Sequence, residues 1–194
     1  MTVVGSACDD DTVRSSDGGP GVDASPVEVA ALADLLPDAL LDYDPMGSPR
    51  GSRITGAGVE SRSFVRQRWR NDRRRIDLEI SDTVASPALR GDFDPTHDEA
   101  SDTALRETTD VDGNPAVLRW TPAVGSVRVL IRDRFLVTVR VDEPRTPQEP
   151  VTLARMMDLS RLARLGGPVA GRRTAPDPKN RPLDPRRKPR EGRP

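Results

Sequence analysis

The sequence predicts an α+β fold: an antiparallel meander of about five to six strands, covered by an N-terminal and a C-terminal helix. Three observations carry that expectation. Apolar and polar residues alternate with a period of two in several runs between positions 64 and 141, the pattern of strands with one face on a core and the other in water. The runs are joined by turn-forming dipeptides, too short for the crossover that parallel strands need. Apolar stripes at helical spacing lie before the first run and after the last.

Each element has a local cause. Residues 1–24 are rich in Asp, Ser and Gly, with Gly18-Gly19-Pro20-Gly21 at their centre, and read as a flexible acidic tether. Ser25-Pro26 followed by Glu28 supplies a cap, a first-turn proline and an acid three residues on, so a helix is expected from Ser25. Pro37 ends or kinks it. Pro45, Gly47, Pro49 and Gly51 make residues 44–53 a loop. Val65, Gln67 and Trp69 alternate with arginines, and Ile76, Leu78 and Ile80 with Asp77 and Glu79. A hairpin at Asn71-Asp72 joins the two runs. The Asp-rich stretch 82–102 is expected to hold a short helix or an ordered loop. A second hairpin, about Asp112-Gly113, joins residues 105–109 to 116–120, because that dipeptide tolerates positive φ. Two further runs, 127–131 and 135–141, turn at Asp133-Arg134. The closing helix begins near Thr146-Pro147-Gln148-Glu149, carries Leu153, Met156, Met157, Leu159 and Leu162, and stops at Gly166-Gly167-Pro168. Residues 25–166 thus form one α+β domain, and 167–194 an Arg/Pro-rich segment with too little to bury.

Composition agrees with one modest core. Of 194 residues, 35% are hydrophobic and 3% aromatic, against 31% charged, so the apolar residues cannot be spread over the whole length. Net charge is −1, which gives no global field toward nucleic acid or membrane. The ends differ in sign: Asp9, Asp10, Asp11, Asp17 and Asp23 face only Arg14 in the first stretch, whereas 168–194 is strongly basic. Only Lys179 and Lys188 are lysines among 30 basic residues, a bias of GC-rich codons that lowers the functional weight of any arginine run. No apolar run approaches the ~20 residues needed to span a bilayer. A single cysteine, Cys8, excludes an internal disulfide.

Three groups of residues are candidates for chemistry. The insert around His97, the one histidine, is dense in oxygen ligands, and Asp92, Asp94, His97 and Asp98 are its metal candidates. It fails the calcium-loop pattern, since counting from Asp92 puts His97 where glycine belongs and Thr103 where a glutamate belongs. Arg66, Arg68 and Arg70 alternate with inward residues around Trp69 and offer an anion-binding strand face, although an inward tryptophan cannot stack on bases. Gly56-Ala57-Gly58 lacks the third glycine of a dinucleotide loop. No cofactor and no catalytic residue is assigned.

Val3-Val4-Gly5-Ser6-Ala7 before Cys8 resembles the end of a bacterial lipoprotein signal peptide. That resemblance implies lipidation of Cys8, a start upstream of Met1 and a place in the cell envelope. The domain also resembles uncharacterised small exported bacterial domains and, in topology, the PsbP-like fold. The expected function is a non-enzymatic, envelope-associated binding or structural domain whose partner is a protein or envelope component. Two other classes stay open: a cytosolic adaptor whose basic tail contacts nucleic acid or another polyanion, and an enzyme or metal binder using the insert around His97.

Overall fold

The computed structural model describes residues 25–54, 62–84 and 87–166. The expectations for the acidic segment 1–24, for Cys8 and for the basic segment 167–194 concern residues outside that range. The chain opens with helix α1 (Val29–Ala33), then strands β1 (Asp44–Pro45), β2 (Arg50–Ile54), β3 (Arg62–Asn71) and β4 (Arg74–Asp82). Two 3-10 segments, Pro87–Phe93 and Pro95–His97, lead to β5 (Glu99–Ser101), β6 (Ala104–Val111), β7 (Asn114–Trp120), β8 (Val124–Ile131) and β9 (Phe135–Asp142). Helices α2 (Glu149–Ala154) and α3 (Leu159–Leu165) close the fold.

All strand pairs are antiparallel, and the sheet runs β1-β3-β4-β9-β8-β7-β6-β5, with β2 also on the free side of β3. Strands β5 to β9 form the expected meander. It returns on the β3–β4 hairpin by pairing β9 with β4, from Ile76↔Val141 to Asp82↔Phe135. The sheet has nine strands, not five or six. The six longer runs read from the sequence are β3, β4 and β6 to β9. The three additional strands are short: β1 and β2 lie where the prolines and glycines suggested only a loop, and β5 lies in the polar insert. Proline and glycine are tolerated there because β1 and β2 pair on one side only.

One face of the sheet holds the core. Trp69, Ile76, Leu78, Ile80, Val127, Val129, Phe135, Val137 and Val139 are buried on it, with Leu32, Leu153 and Leu162 from the helices. Close approach depends on two glycines. A Cβ on Gly51 would lie 2.2 Å from Val29 Cγ1, and one on Gly125 would lie 2.9 Å from Pro150 Cγ. These strands leave notches into which α1 and α2 settle.

Both helical regions depart from expectation, for local reasons. Val27 N donates to Asp82 Oδ2 at 2.8 Å and Val27 O accepts from Ser63 Oγ at 2.6 Å. Those bonds hold the chain extended past Ser25, so α1 begins only at Val29, and Glu28 precedes it without a side-chain cap. The C-terminal helix is two helices. Asp158 has non-helical backbone angles, and its carboxylate accepts from Arg161 N and from Ser160 Oγ, both at 2.7 Å. Helix α2 ends at Ala154 with Arg155 as its C-cap, and Asp158, three residues further on, caps α3. The Ser160 hydroxyl, then the Arg161 amide, hold the Asp158 carboxyl below the usual carboxylate range.

The turns follow their residues. Asp112 and Gly113 both have positive φ, the requirement of the expected two-residue hairpin. The β8–β9 turn centres on Arg132 and Asp133, at φ of 52° and 53°, one residue earlier than the sequence suggested.

Asp82, fully buried at the end of β4, gathers the two ends of the described range. Arg134 Nε and Nη2 donate to its two oxygens at 2.9 and 2.7 Å. Its Oδ1 also accepts from Val84 N at 3.2 Å, securing a β-branched residue at φ 34° that is strained there. Arg134 further donates to Ser25 O at 3.1 Å and Gly166 O at 3.3 Å, and its guanidinium lies 5.2 Å from the Phe135 ring centroid. Removing one partner of a buried ion pair strands the other. Asp82→Ala is expected to lose about 3–5 kcal/mol in urea unfolding. Arg134→Lys, which keeps the charge without the fork, should lose distinctly less. A loss as large as that of Asp82→Ala would show that charge without the fork contributes nothing at this seam.

Candidate functional site

The register assigns every strand residue to a face. The face opposite the helices carries a band of arginine. One row across the sheet reads Arg68, Asp77, Arg140, Ser126, Arg119 and Arg106, from β3 to β6. Five strand spacings separate its ends, about 24 Å. The next row holds Arg50, Arg66 and Arg128, and the row on the other side Arg70 and Arg75. Alternation causes this: each of these strands puts most of its apolar residues on the core and turns its arginines outward.

The two halves of the band are finished differently. Over β6 to β8 the insert lies across it. The Asp92 carboxylate pairs with Arg128, and Asp92 O accepts from Arg106 Nη2 at 2.8 Å. Asp98 Oδ1 accepts from both the amide and the hydroxyl of Thr108, each at 2.8 Å, and lies 3.5 Å from Arg106 Nη1. Leu130 and Val117 are buried on this side of the sheet. The metal candidates are thus distributed among separate structural tasks. Asp94 caps the second 3-10 segment through Thr96 N at 2.9 Å, and that backbone bond is the first cause holding its carboxyl below the usual range. His97 is exposed, with Thr96 Oγ1 3.5 Å from its Nδ1. Among the described residues no group of three or more His, Cys, Asp or Glu stands close enough to hold a metal ion.

Over β2, β3, β4 and β9 no described segment covers the band. Asp77, 7% exposed, is its fixed point: Arg68 Nε lies 2.8 Å away, Arg66 Nη2 3.1 Å and Arg75 Nε 3.6 Å. Arg75 Nη2 reaches Asp142 at 2.9 Å, where Arg140 also approaches at 3.5 Å. The expected outward set of Arg66, Arg68 and Arg70 is therefore on one surface, with Trp69 fully buried behind it. Arg50, Arg70 and Arg119 make no ion pair among the described residues. Against the edge of β3, Met46, Ser48, Phe64, Arg50, Arg66 and Arg68 line a cleft of about 480 Å³. It pairs apolar surface with cations. Arg119, Arg128 and Arg140 were not singled out from sequence, though each sits in the polar phase of its strand. The missing information was strand order, which brings β9 beside β4.

Comparison of the chain with protein-family models, with curated proteins and with solved structures returned no match, so the site is read from its own geometry. Among the described residues no helix is long and apolar enough to cross a membrane.

Asp98 also closes the outer side of β6 beyond the short strand β5, a charged side chain standing where another strand could add. Asp98→Ala should raise the hydrogen-exchange rate of the Thr108 amide well above that of the Val117 amide. An unchanged Thr108 rate would mean that the carboxylate does not protect this edge.

Proposed function

We propose that this protein is a non-enzymatic binding domain that docks an acidic partner, an Asp/Glu-rich protein segment, on the uncovered half of its arginine face. One observation carries the reading. The insert's own aspartates, Asp92 and Asp98, already engage Arg128 and Arg106 on the covered half, so an acidic segment crossing the strands is what this face accepts. The uncovered half offers the same chemistry at Arg50, Arg66, Arg68 and Arg70. Asp77 holds Arg66 and Arg68 in place, which reduces the side-chain entropy that binding has to remove. Met46 and Phe64 supply apolar contact beside them.

The test is fluorescence anisotropy with labelled polyglutamate, in the full chain and across a salt series. Affinity should fall as salt rises. Arg50→Ala with Arg70→Ala should weaken binding about tenfold at low salt, roughly 1.4 kcal/mol shared by two exposed charges. Asp77→Asn should tighten it, because freeing three arginines from a competing carboxylate outweighs the side-chain freedom that the change restores. Wild-type affinity in the double variant would remove this face from the reading. Tighter binding of a single-stranded oligonucleotide than of polyglutamate would favour the adaptor reading instead.

We further propose that lipid anchoring through Cys8 holds this protein at the cell envelope. The residues before Cys8 and the acidic, glycine-rich stretch between it and Ser25 support that location. Protein expressed from its native locus, with upstream in-frame codons retained, is expected to begin at Cys8 and to carry diacylglycerol mass in intact mass spectrometry. An unmodified chain beginning at Met1 or Thr2 would end the anchoring proposal and leave the binding face unaffected.

A further inference from the structure

A cleft of about 430 Å³ lies on the outward side of the sheet near β5, away from Arg50, Arg66 and Arg68. Residues of β5, β6, β7 and β8 line it, and the register fixes which side chains face it. Glu99 pairs with Arg106, Arg106 with Arg119, and Arg119 with Ser126. Residues paired directly across adjacent strands share a face, so these four side chains form one row on the arginine side. Val124, two residues before Ser126, stands on that side too. Glu99 and Arg119 are exposed and Ser126 is half-buried, so each is open to a ligand.

Arg106 and Arg119 stand opposite each other, and like charges so placed cost stability. Their surroundings differ. The Arg106 guanidinium is already engaged: its Nη2 donates to Asp92 O at 2.8 Å, and its Nη1 lies 3.5 Å from Asp98 Oδ1. The Arg119 guanidinium has no ion pair or hydrogen bond among the described residues, and neither has the Glu99 carboxylate. The cleft therefore holds an unpaired cation and an unpaired anion on a common face, with an occupied arginine between them. Two strand spacings, about 10 Å, separate the Cα atoms of Glu99 and Arg119. Side chains standing off a sheet carry their heads at a similar spacing.

We propose that this cleft binds the zwitterion of a free α-amino acid. The ligand's ammonium donates to the Glu99 carboxylate, and its carboxylate accepts from the Arg119 guanidinium. The Ser126 hydroxyl, opposite Arg119 in the register, is a further donor to that carboxylate. Two charge-assisted hydrogen bonds of about 2.8 Å, with the short step from ammonium to carboxylate between them, span about 9 Å, close to the gap. A simple anion would meet the repelling charge of Glu99, and a simple amine that of Arg119. A molecule that carries both charges close together satisfies both side chains. The site is independent of the acidic-segment reading, which uses arginines on the other half of the sheet.

The experiment titrates L-alanine into the full-length ¹⁵N-labelled protein at constant ionic strength and follows the Arg119 Nε–H and Ser126 amide resonances. Saturable shifts of both are expected. Propionate and ethylamine, which each carry one of the two charges, should bind about fivefold more weakly or less. Glu99→Gln and Arg119→Gln, read at the Ser126 amide, should each weaken alanine binding about fivefold, the upper end for an exposed ion pair. Both positions are exposed, so the two variants keep the fold, and an otherwise unchanged spectrum verifies it. The double variant Arg50→Ala with Arg70→Ala should bind alanine as the wild type does, which separates this site from polyglutamate docking. No saturable shift, propionate binding as tight as that of alanine, or an affinity unchanged in either single variant would overturn the inference.

Discussion

The two-pronged contact between Asp82 and Arg134 is the constraint on which the architecture turns. It lies where the end of β4 meets the β8–β9 turn, the seam between the N-terminal hairpin and the C-terminal meander. Those two parts are remote in sequence, and β4 pairing with β9 is what makes them one sheet. A buried carboxylate at that seam can be satisfied only if the N-terminal segment, β4 and the turn before β9 arrive together. Each contributes: Val27 N, Val84 N and the Arg134 fork all point to the same two oxygens. The hydrogen bond and the opposite charge also raise the Arg134 pKa, over the opposing effect of burial. A buried pair of this kind adds less to stability than an apolar replacement could, yet it penalises any register in which its members fail to meet.

The sheet then treats its two sides by different means. On the core side, glycines at 51 and 125 let the helices descend onto the strands. On the other side, arginines stand off the surface and are met partly by the insert. The same alternating strands produce both sides, because every inward valine or isoleucine places a polar neighbour outward. Without α1, α2 and α3 the core side would be a large exposed apolar patch. The arginine side is stable in water without a cover, and no described segment lies over half of it.

Much of this was legible in the sequence, for identifiable reasons. The runs 65–69, 76–80, 127–131 and 135–141 alternate over enough residues for the period of two to stand out, and Asp112-Gly113 marks its own turn. Trp69 inward and Arg66, Arg68 and Arg70 outward followed from the same count. What escaped was decided by partners distant in the chain. β1 and β2 exist because β3 offers them an edge, against the local signal of prolines and glycines. The helix expected at Ser25 is delayed because Asp82 and Ser63 take hold of Val27. Asp158 divides the last helix by a cap that looks like one more polar residue on a helical surface. In the candidate site, the outward phase of each strand was readable, but the juxtaposition of Arg140 with Asp77 required knowing that the last strand lies beside the fourth. The insert's acids looked like ligands because their arginine partners lie on strands read separately.

Ser25 and Gly166, the first and last described residues, both hydrogen-bond to the one guanidinium of Arg134. The two ends of the described range therefore meet at a single side chain, like a thread tied off at one knot. Tension applied between the two ends would bear on that guanidinium before it reached any strand ladder. The sheet, with its arginine face, would keep its shape while the knot at Arg134 took the load.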